Sequence, residues 1–375
     1  MIPFNRATIA PNQLLYVQEV FASSHLSGDG TFTKRAASHL SRLHEDSPAL
    51  LTTSCTDALE LCALLLDIQP GDEVIVPSFT FVSTANAFAL FGARVVFADV
   101  RSDTFTIDAE EVAGLITDRT KAVVTVHYGG VDGSTLRLNE LAKSHGFRVI
   151  EDNAHGLFGS NLGRPLGTRS ALSTLSFHET KNVTCGEGGA LIVNDSTLLE
   201  RAEIMREKGT NRSRFFRGQV DKYTWESRGS SFLPSDINAA VLLSQLEFSE
   251  EIQRRRRSAE TRFRSGLACW AANNGVQFQQ GWNATESPSH LFAMLLPDAA
   301  TRARFLDSVR SLGVSAVFHY LPLHSSAAGL RYGIAPSGCA VTTDIAERLV
   351  RLPLFSDQTR DEVEKIVSVV TEFQA

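Results

Sequence analysis

One lysine stands where chemistry is to be expected. Lys181 follows a strand-like run, Leu172 to His178, and precedes the glycine-rich turn Gly186-Glu-Gly-Gly, after which a second strand-like run, Ala190-Leu-Ile-Val193, begins. A turn between buried strands offers a lysine little solvent. A lysine held there beside hydroxyls is suited to bond covalently to the aldehyde of a cofactor. A solvated loop lysine next to a flexible turn is the plainer alternative, and the rest of the chain has to choose between them.

An aldehyde cofactor with a pyridine ring makes three further demands. Its ring nitrogen stays protonated only beside a buried carboxylate, and Asp152 ends the strand-like run Phe147 to Asp152. Its phosphate needs clustered donors. Thr52, Thr53, Ser54 and Thr56 stand where a helix starting at Asp57 begins, and Ser176 lies just ahead of the lysine. The first N–H groups of a helix lack partners and carry partial positive charge, so this cluster is either a plain helix cap or a phosphate cradle. Its flat ring needs an aromatic cover, which the pair Phe79 and Phe81 offers. Asp152 taken alone is as well explained as a helix cap or a turn acid. Four such features in chain order, each at a strand end, favour the cofactor.

The elements that must position them alternate. Strand-like runs at Glu73 to Pro77, Ala93 to Ala98, Ala122 to Val126 and Phe147 to Asp152 are separated by helical stretches at Thr84 to Phe91, Ala109 to Ile116 and Leu136 to Ser144. This spacing, with near-continuous apolar strands, predicts an α/β fold with a mostly parallel sheet flanked by helices. Ligands of such sheets collect at the carboxyl ends of the strands, where Asp152, His127 and Pro77 to Phe81 all fall. Helices are expected over residues 11–24, with Leu14, Val17, Val20 and Phe21 on one face, and from Lys34 to His44. Gly209 to Ser231 is a long aromatic loop, and such loops are usually functional when not disordered. One long helix is expected from Pro234 to about Leu267, with the charge run Glu250 to Arg257 on a solvated face. Beyond it come a strand at Leu291 to Leu295, a helix at Thr301 to Leu312, a strand at Val314 to Tyr320 and two closing helices. The chain therefore divides near Glu250, into a large domain of residues 1–250 and a small α+β domain of residues 251–375.

Bulk properties narrow the class of function. A chain of 375 residues with 43% hydrophobic and 21% charged residues is of ordinary globular composition, with room for two domains. Lys and Arg number 36 against 42 Asp and Glu, a net charge of −6, which disfavours nucleic acid as the main partner. No apolar run is long enough to span a membrane, and Met1-Ile-Pro-Phe-Asn-Arg has no secretory-signal pattern. Five scattered cysteines without a CxxC spacing point to reduced thiols in the cytoplasm, not to a disulfide framework or a metal site.

The full set of motifs resembles a known family. Ser54-Cys-Thr-Asp-Ala-Leu, Gly71-Asp-Glu-Val-Ile-Val-Pro-Ser-Phe-Thr-Phe, Val126-His-Tyr-Gly-Gly, Glu151-Asp-Asn-Ala-His-Gly and Ser176-Phe-His-Glu-Thr-Lys-Asn with Gly186-Glu-Gly-Gly are similar to the sugar-nucleotide aminotransferases of the DegT type, fold-type-I pyridoxal-phosphate enzymes. The likeness runs over essentially the whole chain. It implies a large domain with a seven-stranded, mostly parallel sheet, a small C-terminal domain, and a homodimer with shared active sites. Gly209-Thr-Asn-Arg-Ser, Phe215 to Trp225 and Ala316-Val-Phe-His-Tyr-Leu-Pro-Leu-His look like the branch that converts dTDP-4-oxo-6-deoxy-D-glucose to its galacto-configured 4-amino sugar with L-glutamate as donor.

The resemblance also implies roles. Lys181 would bond to pyridoxal 5′-phosphate and carry protons, and Asp152 would pair with the ring nitrogen. His155, where many members have glutamine, would lie near the phenolic oxygen. Phe81, not Phe79, would stack on the ring, and Ser54, Cys55, Thr56 and Ser176 would hold the phosphate. Ser231 stands where the wider family commonly has an asparagine that reaches the neighbouring subunit's phosphate. His319 and His324 would lie near the sugar, and Lys222 and Tyr223 near the nucleotide, although a lone histidine after a strand is more often a structural hydrogen-bonding residue. An aminotransferase giving the gluco epimer, one for another ketosugar, or one for C3 stays open, whereas a non-catalytic homologue is disfavoured by Lys181, Asp152 and Ser176 occurring together. A dinucleotide-dependent oxidoreductase would need GxGxxG after the first strand, and that motif is missing.

Overall fold

A computed structural model describes residues 1–374. Two helices come first, α1 (Gln13–Ser23) and α2 (Thr31–Leu43). Strands and helices then alternate: β1 (Ala49–Thr52), α3 (Cys55–Leu65), β2 (Glu73–Pro77), α4 (Ser83–Ala89), β3 (Arg94–Ala98), α5 (Ala109–Leu115), β4 (Thr120–Val126), α6 (Thr135–His145) and β5 (Arg148–Asp152). A small hairpin, β6 (Ser160–Asn161) and β7 (Arg164–Pro165), leads to β8 (Leu172–Ser176) and β9 (Gly189–Val193). Helices α7 (Leu199–Arg206), α8 (Arg212–Phe216), α9 (Asp236–Glu247) and α10 (Ser249–Asn273) follow. The remainder holds β10 (Gln277–Phe278), β11 (Phe292–Leu295), α11 (Ala299–Ser311), α12 (Ala327–Tyr332), β12 (Gly333–Ile334), α13 (Ala340–Arg348), β13 (Leu349–Leu352) and α14 (Arg360–Thr371).

The central sheet has the order β1-β9-β8-β5-β4-β2-β3-β12. β9 runs antiparallel to both its neighbours, and every other pairing is parallel. β1, opposed only to β9, therefore points the same way as β8. The sheet has eight strands and not the expected seven, because β12 pairs Gly333 and Ile334 with Val95 and Val96 and covers what would have been a free edge. Its two residues carry too little pattern to read as a strand. Apolar side chains pack on both faces, which is why the strands lack alternation. One face buries Leu59, Cys62, Val74, Val76 and Phe88, and the other buries Ile75, Val96, Val123, Leu138 and Val149.

A separate cluster gathers Phe263, Leu267, Phe292, Met294, Phe305, Val350, Leu352 and Ile366 around the three-stranded sheet β10-β11-β13. Ile2 belongs to it and bridges to Val314, so the first residues start on this cluster before the chain crosses to α1. A further cluster joins Phe79, Phe105 and Tyr128 to Leu291, Leu295, Ile345 and Leu349 and ties the two halves together.

Four further expectations need correction. The helix expected from Pro234 to Leu267 is two helices, α9 and α10, meeting at Phe248, whose φ of −98° and ψ of 6° interrupt the helical path. Its charge run is not wholly a solvated face. Arg256 is 2% exposed and donates to the carbonyls of Ser289, His290 and Leu354. The span Val314 to Tyr320 forms only isolated bridges, Val314 to Ile2 and Val317 to Arg351, and not a strand. On α1 only Val20 is buried, while Leu14, Leu15 and Phe21 stand in solvent.

Candidate active site

The parallel strands deliver their carboxyl ends to one edge of the sheet, and β9 begins there. Its first residue, Gly189, pairs with Thr52, the last residue of β1, and with Ser176, the last of β8. A Cβ on Gly189 would lie 2.3 to 2.4 Å from the peptide joining Ser54 and Cys55, so only glycine lets β9 pass this close to the start of α3. Gly186, with φ of +84°, supplies the left-handed turn that brings the chain back from Lys181 to β9. The turn expected from the glycines is therefore a close-approach device as well.

A cavity of about 620 Å³ opens at this edge, a size suited to a small-molecule ligand. Ser54, Cys55, Thr56 and Ser176 line it. Ser54 caps α3 by accepting from the N–H of Asp57, so capping is the role of one member of the cluster and does not exclude a phosphate cradle. The cap leaves the N–H groups of Cys55 and Thr56, without helical partners, beside the cavity. A helix start next to serine and threonine hydroxyls is a fit for phosphate.

Asp152 ends β5 with 5% exposure and lines the cavity. Its Oδ2 accepts from the Thr84 hydroxyl at 2.8 Å and its Oδ1 from the N–H of Ala154 at 3.2 Å. Burial raises its pKa, against the lowering pull of these donors and of Lys181. It makes no ion pair among the described residues. A buried carboxylate with no cation from the protein fits a protonated ring nitrogen supplied by a ligand. Its neighbour Glu151 points the other way and binds His127 Nε2 at 2.9 Å and the N–H groups of Gly167, Arg169 and Ser170. His127, also at a strand end, is thereby a structural group.

Lys181 also lines the cavity, and burial lowers its pKa from 10.5 to about 8. The free amine, able to act as a nucleophile or a base, is then a minority near pH 7 that reaches half near pH 8, far more than a solvated lysine offers. The two candidate ring covers separate. Phe79 is 1% exposed and packs on Tyr128 and Tyr320, whereas Phe81 is exposed and lines the cavity. His155 also lines the cavity and stacks on His290 with ring centres 4.3 Å apart. His319 accompanies them, its Nδ1 2.9 Å from the Tyr128 hydroxyl. Burial holds all three histidines well below their ordinary pKa, so they are neutral.

These residues fit pyridoxal phosphate: donors for a phosphate, a lone buried carboxylate for a ring nitrogen, an open aromatic face and a buried lysine of lowered pKa. A scan of family models matches residues 7–371 to the DegT/DnrJ/EryC1/StrS aminotransferase family. The chain belongs to that family. Among solved structures, this aminotransferase chain is similar to the aminotransferase TlmJ from Streptoalloteichus hindustanus, at 31% identity and a TM-score of 0.90, covering 99% of this chain and 98% of that one. It is similar to Helicobacter pylori PseC, an aminotransferase of pseudoaminic acid biosynthesis, at 25% identity and a TM-score of 0.89, over 99% and 98% of the two chains. It shares its fold with the PLP-form of Spr1654 from Streptococcus pneumoniae, at 24% identity and a TM-score of 0.88, over 99% and 98%.

The remaining candidates lie elsewhere in the aminotransferase. His324 is outside the cavity lining and holds the Ser78 hydroxyl through Nδ1 at 2.7 Å. Lys222 and Tyr223 are exposed on the segment between α8 and α9, as is Ser231, whose backbone bridges Glu207. That segment is ordered around Asn211, whose side chain donates to Lys222, Thr224 and Glu226. Sequence reasoning passed over Thr84, His290, Phe4, Asn5, Tyr320 and Arg351, which belong to the site. Arg351 alone carried a signal, a charge inside the apolar run Leu349-Val-Arg-Leu352.

Proposed function

We propose that this chain transfers the amino group of L-glutamate to the keto carbon of a nucleotide-linked 4-ketosugar, dTDP-4-oxo-6-deoxy-D-glucose, giving dTDP-4-amino-4,6-dideoxy-D-galactose. The observation that carries the transamination is a buried Lys181, its pKa lowered to about 8, sharing a cavity with Asp152, a buried carboxylate that makes no ion pair among the described residues. Pyridoxal phosphate is the cofactor, and when bound it supplies the electron sink that makes the donor's α-carbon acidic. Asp152 keeps its ring nitrogen protonated. Lys181 Nζ would take the proton from the donor carbon and later deliver one to the sugar carbon; water releases the donor carbon skeleton as 2-oxoglutarate before the ketosugar enters, and the ketosugar's carbonyl oxygen leaves as water. His155, neutral, would lie near the ring's phenolic oxygen, and His319, also neutral, would face the sugar.

The sugar substrate rests on the likeness of Gly209 to Trp225 and Ala316 to His324 to one branch of the family. A homodimer is supported by exposed apolar side chains at Phe216, Tyr223, Trp225, Leu14 and Phe21, too many for a surface that meets only water. In a dimer, Lys222, Tyr223 and Ser231 would serve the partner's cavity.

The test is product analysis by NMR after incubation with L-glutamate and dTDP- or UDP-linked ketosugars. An axial C4 amine on the dTDP sugar is the expected product. An equatorial C4 amine would give the gluco epimer from the same ketosugar, and amination at C3 or of a UDP-linked sugar would transfer the assignment to another ketosugar. Turnover by Lys181→Ala would sink the transamination itself.

A further inference from the structure

Arg351 is a cation of the cavity lining that pairs with no carboxylate among the described residues. It lies on β13, whose neighbours Val350 and Leu352 point into the apolar cluster, so strand alternation aims Arg351 the other way, at the cavity. Its backbone is locked on both sides, by the β11 register to Ala293 and by paired hydrogen bonds with Val317. Its guanidinium rests on the ring of Phe4, 4.9 Å being the comparable distance at Arg6 over Phe355 and 4.7 Å the distance here. Yet Nε is shut off from solvent with no hydrogen-bond partner, and the one hydrogen bond of the head is a long one, 3.4 Å to the Phe318 carbonyl. No carboxylate of the described residues pairs with it. Burying an unanswered guanidinium costs stability, and the cost is recovered when an anion arrives.

The surroundings say which anion. Asp152 is committed to the ring nitrogen, His155, His290 and His319 are neutral, and the Tyr128 and Tyr320 hydroxyls stay protonated because burial raises their pKa. Glu187 is an exposed rim group paired with His178. The cofactor's phosphate has its own donors at α3. Arg351 instead sits with the histidine wall and within electrostatic reach of Lys181. An amino donor must bring its α-carbon to Lys181, and an α-carboxylate is one bond from that carbon. A planar guanidinium matches a carboxylate with two parallel hydrogen bonds.

We propose that Arg351 anchors the α-carboxylate of the amino donor. The proposal rests on the transamination reading above and adds to it the group that recognises the donor. Release of the keto acid frees Arg351 again, and the ketosugar, which brings no carboxylate, enters without competing for it.

The two half-reactions are measured separately, by the absorbance of the bound cofactor, in the wild type, Arg351→Met and Arg351→Lys. Loss of the charge-assisted pair predicts an apparent Kd for L-glutamate about 30- to 100-fold weaker in Arg351→Met, with a smaller loss in Arg351→Lys. Cofactor affinity, borohydride fixation to Lys181 and reaction of the amine-loaded protein with the ketosugar stay within about twofold on this assignment. An unchanged glutamate Kd overturns the proposal, and so does a loss that falls on the ketosugar half-reaction, which would give Arg351 to a phosphate. A comparison that needs no variant uses 4-aminobutyrate, which keeps an amine and a carboxylate but has no α-carboxylate. It should bind the wild type at least about tenfold more weakly than glutamate, and equal binding overturns the proposal. If no ketosugar reacts with the wild type, the substrate assignment fails while the donor half-reaction still reads Arg351.

Discussion

The hydroxyl of Thr84 donates to Oδ2 of Asp152 at 2.8 Å, joining the first turn of α4 to the end of β5 across 68 positions of sequence. Thr84 is 1% exposed and also meets the Thr80 hydroxyl at 2.9 Å. The bond holds one carboxylate oxygen and opposes the rise in pKa that burial imposes on Asp152.

Thr84→Val keeps the shape and removes that donor. A hydrogen bond to a charged group contributes about 1.5–3 kcal/mol. Cofactor affinity should therefore fall by roughly ten- to a hundredfold, with the pKa of Asp152 rising further. Titration of the cofactor-free protein with pyridoxal phosphate across the acidic range measures both. An unaltered affinity with an unaltered pH profile would show that the Ala154 N–H alone holds the carboxylate.

Lys181 opposes stability in the cofactor-free protein. Its folded pKa of about 8 lies below 10.5, so between those values the unfolded chain binds more protons and stability rises with pH. Below pH 8 the whole cost is present, up to about 3 kcal/mol. Lys181→Met should raise the unfolding free energy at pH 7, and the gain should shrink as pH climbs from 8 toward 10.5. Denaturant titrations at several pH values report it, and a pH-independent gain would contradict the assigned cause. In the wild type, the rate of cofactor capture should climb with the free-amine fraction and level off above about pH 8.

Gly189→Ala places a methyl group 2.3 to 2.4 Å from the Ser54–Cys55 peptide, where only backbone can yield. Overpacking of this kind costs about 1–3 kcal/mol. The start of α3 must move, so phosphate affinity should fall more than overall stability does. Thermal unfolding set against affinity for pyridoxal phosphate, and for pyridoxal without the phosphate, separates the two. Equal losses for both ligands would place the damage outside the cradle.

Glu151→Gln leaves His127 without its buried acid. Glu151 accepts from His127 and three backbone N–H groups, and an amide presents a donor where these four require acceptors. Breaking a buried pair costs about 3–5 kcal/mol, which urea unfolding would register as a marked fall in midpoint. A change below about 0.5 kcal/mol would mean that the loop after β7 rearranges to replace the contacts.

The amino-acid sequence by itself determined the alternation of strands and helices and the features that lie within a few residues of a strand end: Lys181 before its glycine turn, Asp152 closing β5, the hydroxyls that open α3, and Phe81 after β2. These follow from local rules, since a strand's end, a helix cap and a turn each require particular residue types nearby. Tertiary structure alone decided what came from far along the chain. A run of four arginines gives no sign that Arg256 is the one folded inward onto three carbonyls, because that depends on where the segments near Ser289 and Leu354 pass. His319 and His324 look equivalent in sequence, five residues apart, yet one faces the cavity and the other holds Ser78. Glu151 and Asp152 are adjacent acids on opposite sides of one strand. Their alternation is legible, but which side faces the cavity is settled only when β4 and β8 pack around β5 and leave Asp152 as the carboxylate without a cation.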